Sequence, residues 1–272
     1  MLTNKKIKKF YNQVFKKGEE KYFTHFLTTS KSTSKAKKAL KNESKEVLNE
    51  VKWKGKKVID VGCGTGLFAF CAAKKGATML GIDYSRAAID IAKENYQAPN
   101  LQFKQLDTAH LYGKYDVIVS IGTLEHMDDP LKILNLFKKH LTANGRIIIT
   151  SPNWTNPRGY ILMTLWYLFK APVTLADLHY LTPIDFMKWA KKLNLNLKWR
   201  TFDKSWAHGD VLIEDLTRRL PNVLADAKLP KNIKNINNFI KWLKENVVPF
   251  NNSLTHSGAT GIYIFSFPEK QK

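Results

Sequence analysis

Three strand ends in this sequence carry residues suited to holding a ligand and doing chemistry on it. The first is Val58-Ile59-Asp60-Val61-Gly62-Cys63-Gly64-Thr65-Gly66, an apolar run that stops at glycines and feeds directly into a helical pattern. Glycines there let a ligand approach the backbone closely, and the helix that follows offers its N-terminal N–H groups. The second is Gly81-Ile82-Asp83, where Asp83 lies 21 residues beyond Gly62. An acidic side chain at that distance can accept hydrogen bonds from ribose hydroxyls. The third is Asp116-Val117-Ile118-Val119-Ser120-Ile121, which runs into Gly122-Thr123-Leu124-Glu125-His126-Met127-Asp128-Asp129-Pro130. Open α/β sheets bind ligands outside the carboxyl ends of their strands, so Glu125 and His126 belong beside the reacting group. A histidine titrating near neutrality suits removal of a proton from a hydroxyl or ammonium. The dinucleotide fingerprint G-x-G-x-x-G needs glycine at 67, where Leu67 stands, and this argues against a nicotinamide-linked oxidoreductase.

Positioning these strand ends requires alternating strands and helices. From Lys57 to Ser151 short β-branched runs alternate with helical stretches, the pattern of βαβ units and a parallel sheet. The reading gives strands at 57–61, 78–83, 101–105, 115–121 and 145–151, and helices near 66–75, 85–97 and 130–141. Ser85 can cap the second helix, Asp128 or Asp129 before Pro130 can open the third, and Asn144-Gly145 supplies a turn into the fifth strand. A helix over 183–193 capped by Thr182, a sixth strand at 195–202 and a seventh at 261–267 complete the pattern. Residues 4–50 read as helical pieces interrupted at 28–34.

As a set, Val58 to Gly66, Gly81-Ile82-Asp83-Tyr84-Ser85 and Tyr115 to Pro130 resemble the successive motifs of class I S-adenosylmethionine-dependent methyltransferases, over about residues 45–153. The resemblance implies a Rossmann-like, seven-stranded, mostly parallel sheet with its last strand antiparallel and helices on both faces. It implies S-adenosyl-L-methionine as the cofactor. Asp60, Gly62, Cys63, Gly64 and Gly66 would hold its methionine half, Asp83 its ribose and Asp107 its adenine amino group, with Tyr84, Thr108 and Ile121 as further cofactor-binding candidates. A loop cap is the other reading of Asp107. His126 is the candidate base, with Glu125 beside it, and helix entry or substrate orientation is the alternative for His126. The Glu-His pair followed by Asp-Pro is similar to members acting on small molecules, the ubiquinone-pathway O-methyltransferases among them. Where those relatives carry an additional acidic residue this chain has Gly122, so no metal is expected. The Asn/Asp-Pro-Pro-Tyr signature of base-amino methyltransferases is absent at this strand end, which has Ser120-Ile121-Gly122-Thr123.

The domain reading is a basic helical arm over 1–44 and a methyltransferase domain over 45–272, with acceptor-side insertions at about 152–180 and 203–258. The first insertion is rich in aromatics. Trp154, His179 and Tyr180 are its candidate acceptor residues, and burial of the insertion by its aromatic rings is the competing account. A small-molecule acceptor is expected, oxygen slightly ahead of nitrogen, and an apolar or lipid-linked compound would suit these rings.

Charge widens the choice of partners. The net charge is +21, and residues 1–57 hold 17 lysines and five glutamates, hence +12 of it. Such a field can attract anionic membrane or RNA. Yet only six basic residues are arginine, the side chain favoured in specific phosphate and base recognition. RNA methylation is therefore the second reading, a cofactor-binding module without turnover the third. Cys63 and Cys71 form no disulfide framework, and the N-terminus lacks an apolar signal core, so a cytoplasmic setting with peripheral membrane contact at most is expected.

Overall fold

The computed structural model describes residues 42–171, 177–203, 209–246, 248 and 258–268. Nearly all of the arm expected over 1–44 lies outside them; helical turns run over 42–48 and bury Val47. Seven strands form one sheet, β1 (Lys57–Val61), β2 (Thr78–Asp83), β3 (Leu101–Gln105), β4 (Tyr115–Ile121), β5 (Leu141–Pro152), β6 (Asn196–Phe202) and β7 (Thr260–Ser266), in the order β3-β2-β1-β4-β5-β7-β6. The first five pair in parallel and the last strand is antiparallel. The α/β fold expected from the sequence is the fold observed.

β1 and β4 lie side by side, with Asp60 opposite Val119. The order reverses between them, because β2 and β3 extend the sheet to one side and β5 to the other. That reversal opens a crevice at the strand ends where ligands bind in such sheets. β1 and β4 are near-continuous apolar runs because both faces of a parallel sheet are covered; Ile59, Ile118, Ile147 and Ile148 are fully buried.

The helices between the strands start where their caps dictate. α1 (Leu67–Lys74) begins at Gly66, which has φ +88° and no capping side chain. α2 (Arg86–Asn95) begins at Ser85, whose hydroxyl accepts the Ala88 N–H at 3.3 Å. α3 (Pro130–Lys139) is opened by Asp129, which accepts the Lys132 N–H at 3.0 Å, with Pro130 in the first turn. Asp129, not Asp128, is thus the cap. β5 differs from expectation: it starts at Leu141, and Asn144-Gly145 lies within it. Tyr115 pairs with Leu141 but Val117 with Arg146, so the extra residues bulge out of the ladder.

The described residues divide into two compact units, the first drawn from 42–150, 188–198 and 263–268, the second from 151–187 and 199–262. The first holds β1 to β4 and α1 to α3. The second takes in both segments read as insertions. Its helices are α4 (Pro157–Phe169), the start of α5 (Pro183–Leu193), α6 (Gly209–Asp226) and α7 (Ile233–Asn246). α4, which the sequence reading left without an element, is capped by Asn156 accepting the Gly159 N–H at 2.8 Å. Thr182 closes the start of α5 with the help of Asp185, which accepts both the Thr182 N–H and its hydroxyl at 2.8 and 2.9 Å. The core of this unit gathers Trp154, Leu162, Leu212, Leu216, Leu220, Val223, Ile236 and Leu243. Among the described residues no helix is long and apolar enough to cross a membrane.

Candidate cofactor and catalytic site

The loop from Gly62 to Gly66 is held in one shape by its own backbone. The Gly62 and Cys63 N–H groups both donate to the Ile82 carbonyl, at 2.9 and 3.0 Å, and the Gly66 N–H donates to the Cys63 carbonyl at 2.9 Å. Gly62, Gly64 and Gly66 all have positive φ. At Gly66 the restriction is also steric, for a Cβ would come within 2.5 Å of Cζ of Phe103 on β3. At Gly62 a Cβ would run into the side chain of Thr123, just past β4. The loop is therefore pressed between β3 and the end of β4, and glycine alone fits there.

Two carboxylates lie beneath it. Asp83 accepts the Gly64 N–H at 3.1 Å and the Ser85 N–H at 2.8 Å, tying the ends of β1 and β2 together. Burial raises its pKa, and those two N–H groups counter the rise. Asp60 is 2% exposed. Burial, with the Asp83 charge adding to it, pushes Asp60 up to about 8. Burial and the same two carboxylates raise the Cys63 thiol as well, so Cys63 is no nucleophile near neutrality. Tyr84 is raised by burial and by Asp83. Two crowded carboxyls with no described cation beside them call for a ligand that brings positive charge and hydroxyl donors. The ammonium, sulfonium and ribose groups of S-adenosylmethionine fit that need: Asp60 would face the cationic part and Asp83 the ribose.

At the end of β4, Gly122 turns the chain with φ +53°, and its N–H is held by Thr150, at 3.0 Å to Oγ1 and 3.2 Å to the carbonyl. The Thr123 hydroxyl donates to the Ile121 carbonyl at 2.8 Å. A single 3-10 turn follows, Leu124–His126, in which Glu125 is buried and His126 half-buried. These contacts put Ile121, Glu125 and His126 on the first unit with the glycine loop, and Gly62 and Thr123 touch across β1 and β4.

Asp107 and Thr108 also belong to that unit, just past β3. The Asp107 carboxylate accepts the Ala109 N–H at 3.0 Å and caps the turn Thr108–His110, so the cap role weighed for it is filled. Trp154, His179 and Tyr180 lie in the second unit. There Trp154 and Tyr180 meet edge to face with ring centroids 5.3 Å apart, and Trp166 meets Tyr180 at 4.9 Å. Trp154 is only 4% exposed, which is the behaviour of a core ring.

Sequence reasoning missed Thr123, Thr150 and Phe103, all of which shape the loop or the strand end. Gly81 was the available signal for Phe103: a glycine inside a β-branched strand marks a close approach, and a Cβ there would lie 2.6 Å from the Phe103 ring.

Residues 52–238 match the methyltransferase domain family. The ubiquinone biosynthesis O-methyltransferase of Acinetobacter baylyi is 30% identical over 155 residues, 53% of this chain and 65% of its own length. That of Actinobacillus pleuropneumoniae is 30% identical over 178 residues, 58% of this chain and 76% of its length. The chain thus spans about two thirds to three quarters of these relatives. Among solved structures, a Thermotoga maritima protein described as an S-adenosylmethionine-dependent methyltransferase and possible histamine N-methyltransferase shares the fold. Its TM-score is 0.53 at 14% identity, over 83% of this chain and 88% of that one. With the glycine loop at the strand reversal and the family match covering more than half the sequence, the chain belongs to the methyltransferase domain family.

Proposed function

We propose that this protein transfers the methyl group of S-adenosylmethionine to a hydroxyl oxygen of a small-molecule acceptor. The observation that carries the reading is the juxtaposition of the glycine loop with the turn Leu124–His126 at the end of β4, on one unit and in contact through Gly62 and Thr123. The sulfonium donor is already activated, so the protein has to align the acceptor for in-line displacement and remove its proton. His126 is the base in this account, and the buried Glu125 positions the turn that presents it. The names of the relatives, ubiquinone biosynthesis O-methyltransferase, support oxygen as the acceptor atom and an apolar acceptor.

The same reading gives the end of α4 a place at an anionic membrane surface. Tyr167, Leu168 and Phe169 are all more than half exposed, and Lys170 follows them, its ammonium 5.9 Å from the Trp166 and Tyr167 ring centroids. Exposed aromatics beside a cation favour the headgroup region of a bilayer.

The test is to incubate the protein with labelled cofactor and fractionated lipid, metabolite and RNA extracts. Label should enter a lipid or metabolite fraction, and His126→Ala should slow the transfer by about 100-fold or more, the usual scale of general-base catalysis, with cofactor affinity nearly intact. Label in RNA alone, or binding of cofactor with no transfer to any fraction, would overturn the reading.

A further inference from the structure

The second unit buries an arginine that its own side chains leave without hydrogen bonds. Arg158, in the first turn of α4, is 9% exposed. Its Nε is buried with no hydrogen-bond partner. Its guanidinium lies over the Trp154 ring at 5.6 Å and has one ion pair among the described residues, Nη1 to Asp215 Oδ2 at a long 3.9 Å. Asp215 is already occupied. Arg218 Nη2 donates to its Oδ1 at 2.6 Å, while Arg219 donates through Nε to Oδ2 at 3.2 Å and through Nη2 to Oδ1 at 3.3 Å. Two arginines of α6 therefore fill the carboxylate that a third, Arg158, reaches only distantly.

A buried guanidinium N–H without a bonded partner is costly, and the ordinary remedy is a carboxylate or phosphate gripped through two parallel N–H groups. Asp177 acts on Arg158 by charge, but no described side chain supplies the missing hydrogen bonds. Nor do the remaining internal segments encode a carboxylate: 172–176, 204–208 and 249–257 contain no Asp or Glu. The neighbouring rings are those of Trp154 and Tyr180, an aromatic wall beside a cation.

From this arrangement we infer that Arg158, backed by Trp154, binds an oxyanion, a carboxylate or phosphate.

The experiment follows the full-length protein's melting temperature as inorganic phosphate, or in a second arm benzoate, replaces chloride at constant ionic strength. A saturable rise of about 3–5 °C near tenfold excess over the dissociation constant is expected. It should be lost in Arg158→Met and kept in Arg86→Met, whose side chain pairs with Asp90 on an exposed face. Response to benzoate but not phosphate identifies a carboxylate, and the reverse a phosphate. In protein labelled with 15N-arginine, the Nε–H resonance that disappears in Arg158→Lys should shift on titration with the responding anion. This readout holds even if Arg158→Met fails to fold. No response to either anion, or an equal response without Arg158, overturns the site.

Discussion

Two aspartates of this protein are buried to the same degree and are displaced in opposite directions. Asp60, 2% exposed, is pushed up to about 8, while Asp215, 3% exposed, is held at about 2. Burial acts on both and by itself raises both. At Asp60 the neighbouring charge is Asp83, which adds to the rise. At Asp215 the charges of Arg219, Arg158 and Arg218, with a hydrogen bond from Arg219, overcome it. The first unit leaves its carboxyls waiting for a cation, and the second surrounds its carboxylate with more cations than that group can bond. Each imbalance is a description of the ligand that would correct it.

The contrast also sets opposite responses to pH. A carboxyl in the unfolded chain titrates near 3.8. Native Asp60 keeps its proton to about 8, so its contribution to stability declines as pH rises from about 4 to about 8. Native Asp215 stays ionised down to about 2, so its contribution is full above about 4 and is lost as pH falls through that range.

The largest effect should come from breaking the second half of the comparison. Asp215→Ala leaves the buried Arg158 and the half-buried Arg218 and Arg219 without their shared carboxylate and should cost about 3–5 kcal/mol of stability, the usual penalty for removing one partner of a buried ion pair. Urea denaturation checks it, and a loss under 1 kcal/mol would mean the cluster is far better hydrated than its burial indicates. Next, Asp83→Ala should weaken S-adenosylmethionine binding by about 1.5–3 kcal/mol, as expected for hydrogen bonds to a charged group; an unchanged titration would remove Asp83 from the site. The smallest effect separates scaffold from ligand contact. Ser85→Ala removes the α2 cap and should cost about 1 kcal/mol in stability. The Ser85 N–H to Asp83 survives that change, so cofactor affinity should hold within about twofold, well under 1.4 kcal/mol.

The glycine loop, the five parallel strands and their helices were legible in the sequence because each is a local pattern: β-branched runs, glycines at a turn, Ser85 and Asp129 as caps. The start of β5 was not, because Asn144-Gly145 reads as a turn wherever it occurs, and only pairing with β4 makes it a bulge. α4 escaped because its apolar residues surround it without a clear stripe. Asp60 and Asp83 were visible as strand-end acids, whereas their mutual effect on titration depends on two strands lying side by side. The Arg158 and Asp215 cluster joins residues 57 apart in sequence, and no local signal announces it.

The crowded carboxyls of the first unit call for a cationic cofactor. Calorimetry of S-adenosylmethionine binding at pH 6, 7 and 8 tests it most directly. The prediction is release of a proton on binding and an affinity that strengthens with pH, by up to about tenfold per unit below the free-state value of Asp60, with both effects absent in Asp60→Asn. Affinity independent of pH, or an unchanged dependence in Asp60→Asn, would contradict it.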